Sequence, residues 1–315
     1  MYQIKQIPED FRVKEIPLRS PQTDGKYLVM YVKKKGMNSE EVARRISSIL
    51  HVPRKKVGYA GNKDRHAVTE QYMSVQGVKG KGILLSTGAL EISVSGYLDE
   101  PITLGCLKGN AFEITIRNVD HLPGIPKKIL NLFGPQRFSD NNAQVGKLIV
   151  QRKFLEATQE LAMREAKVHD HLQQYPQDGV GALLQIPKKD IQLRVHSYQS
   201  LLWNNMVRKI ALEHPDIEEL PLIGFGMDAT GVVKDIIEET MREEGITERD
   251  FVIREIPNLS AEGAVRNVWM HPRNLFCSGL EDDDLNPGTK KFFIRFELDK
   301  GCYATVFIEA MFPES

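Results

Sequence analysis

Cysteine, long apolar runs and net charge are what this sequence has least of. Its three cysteines, Cys106, Cys277 and Cys302, are odd in number and far apart, with no C-x-x-C pair. That argues against a disulfide framework or a zinc site and for a reducing compartment. No apolar run approaches the ~18 residues of a membrane-spanning helix. The start, Met1-Tyr2-Gln3-Ile4-Lys5-Gln6, lacks the apolar region of a signal peptide. A cytoplasmic location without membrane attachment is therefore expected. Lys and Arg balance Asp and Glu at 42 each, so whole-chain charge points to no partner. Internal repeats and low-complexity tracts are absent as well. What remains is a soluble globular composition, 41% hydrophobic and 27% charged over 315 residues. That length suits two domains and needs no staples to hold a core.

Charge is uneven along the chain even though it cancels overall. Residues 26–65 hold 11 Lys/Arg against 3 Asp/Glu, a balance of +8, whereas residues 213–255 hold 13 acids against 4 bases, a balance of −9. One region facing a polyanion and another facing water would produce this; so would two ordinary solvated faces.

The densest chemistry lies in Val57-Gly58-Tyr59-Ala60-Gly61-Asn62-Lys63-Asp64-Arg65-His66, which runs into the strand-like Gln71–Gln76. Glycine permits positive φ or a close approach of another backbone. Asp64 then stands between Lys63 and Arg65, cations expected to favour its ionised form. A charged carboxylate on a tight loop suits a nucleophile or a base; it also suits an ordinary turn.

Around this loop, residues 1–35 read as extended, with Phe11 and Val13 on one face and Arg12 and Lys14 on the other. The apolar run Tyr27–Val32 empties into Lys33, Lys34 and Lys35. Asn38 and Glu41 form a capping box for a helix carrying Val42, Ile46, Ile49 and Leu50 at helical spacing. Arg54, Lys55 and Lys56 follow. Both basic runs are candidate phosphate contacts. Residues 88–97 and 112–119 read as strands, and Gly109-Asn110 reads as a turn between them. In Asn131-Leu132-Phe133-Gly134-Pro135-Gln136-Arg137-Phe138 the two phenylalanines suit a core as well as a stacking platform. Helices are expected within 141–167, over 197–212 and over 232–244, the last stopped by Gly245. The end reads as a hairpin, Phe292–Leu298 and Cys302–Ile308 about a turn at Asp299-Lys300-Gly301. Strand-rich, helix-rich, strand-rich is the order of an α+β domain interrupted by a helical insertion.

These segments together resemble the tRNA pseudouridine synthase D (TruD) family. The likeness is carried in order by Pro8-Glu9-Asp10-Phe11, Lys35-Gly36-Met37-Asn38, Gly58-Tyr59-Ala60-Gly61-Asn62-Lys63-Asp64, Ala67-Val68-Thr69-Glu70-Gln71, Lys108-Gly109-Asn110-Ala111-Phe112, Asn131–Phe138, Tyr198-Gln199-Ser200, Pro221-Leu222-Ile223-Gly224 and Lys300–Thr305. The resemblance implies a pseudouridine-synthase catalytic domain with a mixed sheet at 1–156 and 278–315. It implies a mostly helical inserted (TRUD) domain at 157–277, with an RNA cleft between the two. It further implies isomerisation of uridine to pseudouridine, typically uridine 13 of tRNA, with no cofactor, no metal and no obligate protein partner. Asp64 matches the family's catalytic aspartate and Lys63 the residue beside it. Phe11, Asn131 and Tyr303 match positions lining the target nucleotide, and Phe133 an aromatic that stacks on its base.

The chemistry agrees with that resemblance. A carboxylate near the ribose can attack C1′ or take a C2′ proton, and the sequence does not choose. The detached uracil must be trapped away from water while it turns. Asn131 would hold its edge through paired amide hydrogen bonds, after the uridine has left the helical stack. Lys33, Lys34, Lys35, Arg54, Lys55 and Lys56 would hold phosphates without reading sequence. Ser139, Cys106, Asn62 and the arginine-poor stretch 261–269, with only Arg266, depart from the family pattern. Two other readings compete: a hydrolase pairing His66 with Asp64, which lacks any accompanying nucleophile motif, and a non-catalytic RNA-binding protein on the same scaffold. His169-x-His171 lacks the further ligands a metal would need.

Overall fold

A computed structural model describes residues 2–80 and 82–312; the last three positions of the expected catalytic segment lie outside the described residues. The chain forms two compact units. One comprises 1–127, 271–304 and 311–315, the other 128–270 and 305–310.

The first unit is built on one mixed sheet. Its strands are β1 (Phe11–Pro17), β2 (Tyr27–Lys35), β3 (Val57–Tyr59), β4 (Val68–Gln76), β5 (Ile83–Ser86), β6 (Leu90–Leu98) and β7 (Leu107–Val119), with the helix α1 (Ser39–Ile49) between β2 and β3. The second unit supplies β8 (Ile129–Leu130), α2 (Asn142–Val150), α3 (Phe154–Ala162), α4 (Ala166–Gln174), α5 (Gly179–Leu183), α6 (Lys188–Glu213), β9 (Glu219–Pro221), α7 (Gly231–Glu244), β10 (Val265–Asn267) and β11 (Trp269–Met270). The chain then returns to the sheet as β12 (Arg273–Cys277), β13 (Glu281–Asp282) and β14 (Lys290–Asp299), and ends in α8 (Ala304–Met311). The sheet order is β12-β14-β7-β1-β4-β2-β6-β5, with β13 on β14 and β3 on β4. This is the expected α+β architecture, with the late strands rejoining the early ones.

Alternation explains the sheet's two faces. Along β1, Phe11, Val13 and Glu15 are buried while Arg12 and Lys14 are exposed. On the buried side Leu28, Met30 and Val32 of β2 pack with Met73 and Val75 of β4, Leu90 and Ile92 of β6, and Val42, Ala43 and Ile46 of α1. Each large aliphatic chain so buried contributes roughly 1.5–3 kcal/mol, which fixes α1 to the sheet. The capping box is present: Glu41 N donates to Asn38 Oδ1, and Asn38 N donates to Glu41, both at 2.8 Å. The turn before α1 lies beside the loop that carries Asp64.

Among the pairings of named strands in the described residues, β1 with β4 is the parallel one, with Arg12 opposite Val68 and Lys14 opposite Glu70. Parallel strands begin at the same end of a sheet. The residues that lead into β1 and those that lead into β4, Asp64 among them, therefore emerge together. That single pairing sets the position of the site.

Several sequence readings change in the structure. Gly109-Asn110 is no turn; both lie inside β7. A Cβ on Gly109 would meet Leu298 O of β14 at 2.1 Å, so this glycine permits close strand approach. The second arm of the expected final hairpin is α8. Ala304, Phe307, Ile308 and Met311 are all buried, at the i, i+3, i+4, i+7 spacing of a helix; the β-branched Thr305, Val306 and Ile308 masked that period. The helical stretch 141–167 holds α2, α3 and the start of α4, broken first where Arg152 turns left-handed at φ 63 and again between Ala162 and Ala166. In the second unit α2 lies tightly on α6, since a Cβ on Gly146 would meet Arg194 O at 2.0 Å. The helix expected from Ser197 begins earlier, at Lys188. The stop at Gly245 is as expected, with φ 65. Among the described residues no helix is long and apolar enough to cross a membrane.

Candidate active site

Asp64 sits four residues before β4, with its side chain 41% exposed. The cations beside it in sequence do not serve its carboxylate. Lys63 is buried, and its Nζ donates to Asn110 Oδ1 at 2.6 Å and lies 3.3 Å from Glu15 Oε2. Burial pushes the Lys63 amine below the ordinary lysine range, partly offset by Glu15. Burial likewise raises Glu15, against the opposing pull of Lys63. Arg65 Nε donates to Gly36 O at 3.2 Å. The cation on Asp64 is Lys5, whose Nζ donates to Asp64 Oδ2 at 2.5 Å.

Lys5 joins two of the expected site residues. Its ammonium lies 4.2 Å from the centre of the Phe11 ring, a cation–π geometry, while ion-paired to Asp64. Phe11 is itself 4% exposed and meets Phe112 edge-on at 6.2 Å. Lys5 occupies the left-handed region at φ 58, a conformation costing on the order of 1 kcal/mol for a residue with a Cβ. His66 Nε2 donates to Lys5 O at 2.9 Å. The histidine weighed as a base beside Asp64 is thus engaged with the lysine main chain instead.

Behind the carboxylate the loop is fixed by buried polar groups. Lys34 Nζ donates to Met37 O at 2.6 Å and to Asp64 O at 2.9 Å. Lys63 N donates to Ser39 Oγ at 2.9 Å, and that hydroxyl donates to Gln71 Oε1 at 2.7 Å. The two glycines of the motif differ in purpose. A Cβ on Gly58 would meet Ile102 O at 2.2 Å, whereas one on Gly61 would meet nothing within 4 Å, and neither residue has positive φ. Gly58→Ala should therefore destabilise the fold by about 1–3 kcal/mol. Gly61→Ala should stay within about 0.5 kcal/mol of the native chain. Urea midpoints for the two variants check this, and equal midpoints would contradict it.

Asn131 and Phe133 belong to the second unit, where they form a group of their own. Asn131 Oδ1 accepts from Arg266 Nη2 at 2.7 Å, and its Nδ2 donates to Asn267 O at 2.9 Å. Its carbonyl accepts from Trp203 Nε1 at 3.0 Å. Both amide atoms expected to read a base edge are therefore already engaged, and the residue is 2% exposed. The Arg266 guanidinium lies 4.1 Å from the centre of the Phe133 ring, on a surface where a base was expected. Asn204 brackets Phe133, its Oδ1 accepting from Phe133 N at 2.8 Å and its Nδ2 donating to Phe133 O at 3.0 Å. Tyr303 is half-buried between β14 and α8. The sheet register sets Ile294 of β14 level with Ile114 and Phe11 but Asp299 level with Gly109 and Ile16, so the chain leaves for Tyr303 from the far end of that register.

The candidate phosphate contacts divide. Lys34 is not a surface cation: it is 1% exposed and spent on backbone carbonyls. Its place in β2, with alternate residues turned inward, is the reason. Arg54 is held by Glu40, to which Nε donates at 3.0 Å, and by Val57 O. Lys55 and Lys56 are exposed. Lys33 and Lys35 are half-exposed in surface pairs with Glu70 and Glu9, which are worth little and are readily exchanged for a phosphate.

Sequence reading missed Lys5 and Arg266. Nothing local marks Lys5; only the parallel pairing of β1 and β4 brings it to Asp64. Arg266 carried a faint signal, as the one cation in residues 261–269.

Comparison with known proteins bears on this arrangement. The model of the tRNA pseudouridine synthase D (TruD) family matches residues 2–169 and 217–311. A Methanosarcina acetivorans protein named as a probable tRNA pseudouridine synthase D is 28% identical, over 96% of this chain and 90% of its own. The tRNA pseudouridine synthase D of Aquifex aeolicus is 26% identical, over 98% and 97%. The crystal structure of a Methanosarcina mazei protein assigned to TruD superposes with a TM-score of 0.74 at 24% identity, covering 99% of this chain and 94% of that one.

Proposed function

The chain belongs to the tRNA pseudouridine synthase D (TruD) family, and we propose that it isomerises uridine 13 of tRNA to pseudouridine with Asp64 as the reacting carboxylate. The observation that carries this reading is the Lys5–Asp64 ion pair, set against the face of Phe11 at the shared end of β1 and β4. A half-exposed carboxylate on a loop whose main chain is held by Lys34 and Ser39 is accessible to a ribose yet fixed in direction, which is what orientation catalysis needs.

In one route Asp64 bonds to C1′ as the C1′–N1 bond breaks, and the uracil leaves as an anion. The uracil then turns, C5 bonds to C1′ as the carboxylate departs, the C5 proton is lost and N1 takes a proton. In the other route the carboxylate first removes a C2′ proton and the sugar passes through a glycal. Both begin from the same placement of Asp64. Neither requires a cofactor or metal. Lys5 keeps the carboxylate aimed, and Phe11 supplies an apolar wall.

Phe133 is proposed to stack on the base once Arg266 moves, or with the guanidinium layered between. Asn131 acts through Arg266 rather than by reading the base with its own amide. Tyr303 is proposed to line the nucleotide, and Lys63 to hold the catalytic loop through Asn110 and Glu15. Lys33, Lys35, Lys55 and Lys56 are proposed to contact phosphates, which fix register without reading sequence.

Incubating unmodified tRNA with the purified protein and mapping pseudouridine by chemical labelling and primer extension tests this directly. Pseudouridine at position 13 is the expected product. Product at another uridine would refute the positional assignment, and no product in any tRNA would refute the activity.

A further inference from the structure

We infer that Lys34 is a positioning residue for Asp64, a buried ammonium that holds the catalytic loop by its main-chain carbonyls and so fixes the carboxylate without touching it. The inference rests on the reading of Asp64 as the reacting group. Lys34 Nζ donates to Met37 O at 2.6 Å and Asp64 O at 2.9 Å, with Lys63 O a longer acceptor at 3.4 Å. The first carbonyl belongs to the turn after β2 and the other two to the catalytic loop, so one side chain joins two segments. Arg65 Nε makes a second tie between them through Gly36 O. The Lys34 side chain is 1% exposed and cannot meet RNA where it stands.

An ammonium has three donors and a neutral amine two. Losing the proton would therefore release one carbonyl and weaken the rest, because charge-assisted bonds are the stronger kind. The charged groups facing Lys34 are Asp64 and Lys63 from the loop and Glu41 from α1; its neighbours across β4 and β6 are the uncharged Thr69 and Leu90. Burial dominates and lowers the Lys34 amine to about 8, against the upward pull of Asp64 and Glu41 and with a further push down from Lys63. The loop anchor is thus complete at neutral pH and weakens as pH rises through about 8. A displacement of the order of 1 Å at a reacting group costs about 10²-fold in rate.

Three proteins decide the matter: wild type, Lys34→Met and Lys34→Arg, compared in single-turnover conversion of tRNA between pH 6.5 and 9.5. The wild-type rate should fall on the alkaline side with a midpoint near 8. Lys34→Met should lose about 10²-fold in rate at pH 7, with tRNA Kd within twofold, and should lack that limb. Lys34→Arg, which cannot deprotonate in this range, should recover most of the rate and stay flat through pH 9. A folded Lys34→Met as fast as wild type, a loss that appears only in tRNA Kd, or a wild-type rate flat from pH 7 to 9 would overturn the inference. If neither variant folds, wild type labelled uniformly with 15N and 13C and followed by NMR decides: the Asp64 and Arg65 amide shifts should titrate with Lys34 Nζ, and their independence would overturn it. A wild type that makes no pseudouridine at all would instead refute the underlying function.

Discussion

Asp64→Asn is expected to abolish pseudouridine formation, lowering the single-turnover rate by at least about 10⁴-fold, of the order seen when a nucleophile is removed, while tRNA Kd changes by less than about threefold. The separation follows from what holds the loop. Its main chain is tied by Lys34 through Asp64 O, by Ser39 through Lys63 N and by Arg65 through Gly36 O, and none of these ties involves the Asp64 side chain. Asparagine keeps the shape and leaves Lys5 on the Phe11 ring but cannot bond to C1′ or take a proton. Asp64→Glu keeps the carboxylate and extends it by one methylene, a misplacement expected to cost about 10²-fold. The ordering wild type, Glu, Asn is the result to measure. Asp64→Asn at the wild-type rate would remove Asp64 from the chemistry.

Arg117→Met should destabilise the fold by about 3–5 kcal/mol, the cost of removing one partner from a buried ion cluster. Arg117 Nε donates to both oxygens of Asp10 at 2.9 and 3.0 Å, and Nη1 to Asp283 Oδ1 and Asp284 Oδ1, each at 2.8 Å. Its side chain is 5% exposed, that of Asp10 2% and that of Asp283 0%. Without the guanidinium two buried carboxylates lose their countercharge. The effect reaches the site because Asp10 also accepts from Ile7 N at 3.1 Å, closing the turn between Lys5 and Phe11.

This cluster carries a pH signature. Burial alone would raise Asp283, but hydrogen bonds from Asn286, Leu285, Asn118 and Arg117 outweigh it and hold the group at about 2. A carboxyl depressed in the folded state contributes stability that is present above its unfolded value, near 3.8, and lost as pH falls through about 2. Urea midpoints should therefore show the full gap between wild type and Arg117→Met at pH 7 and a narrower gap at pH 3. A gap under about 1 kcal/mol at pH 7 would contradict the strength assigned to the cluster.

Much of the fold was legible from short-range pattern. The Asn38–Glu41 box, the alternation of Phe11, Arg12, Val13 and Lys14, and the Gly245 stop are local signals whose physics is complete within a few residues. The misreadings came where two local preferences conflicted or where a distant strand decided. Gly109-Asn110 has the composition of a turn, yet the backbone of β14 requires a glycine there. Residues 304–311 have β-branched composition, yet their burial follows a helical period.

The sequence by itself determined the α+β class, the family and Asp64 as the residue to suspect, because motif order and hydrophobic period survive without coordinates. Only the tertiary structure decided which groups act on that residue. The adjacent Lys63 and Arg65 turn to Glu15, Asn110 and Gly36, while Lys5, 59 positions away, takes the carboxylate. The buried Lys34 proved to be an anchor rather than a phosphate contact, and Asn131 proved to be already satisfied by Arg266. The physical reason is common to all of these. A side chain's partner is set by which strands run side by side and which face turns inward, and charge adjacency along the chain carries neither piece of information.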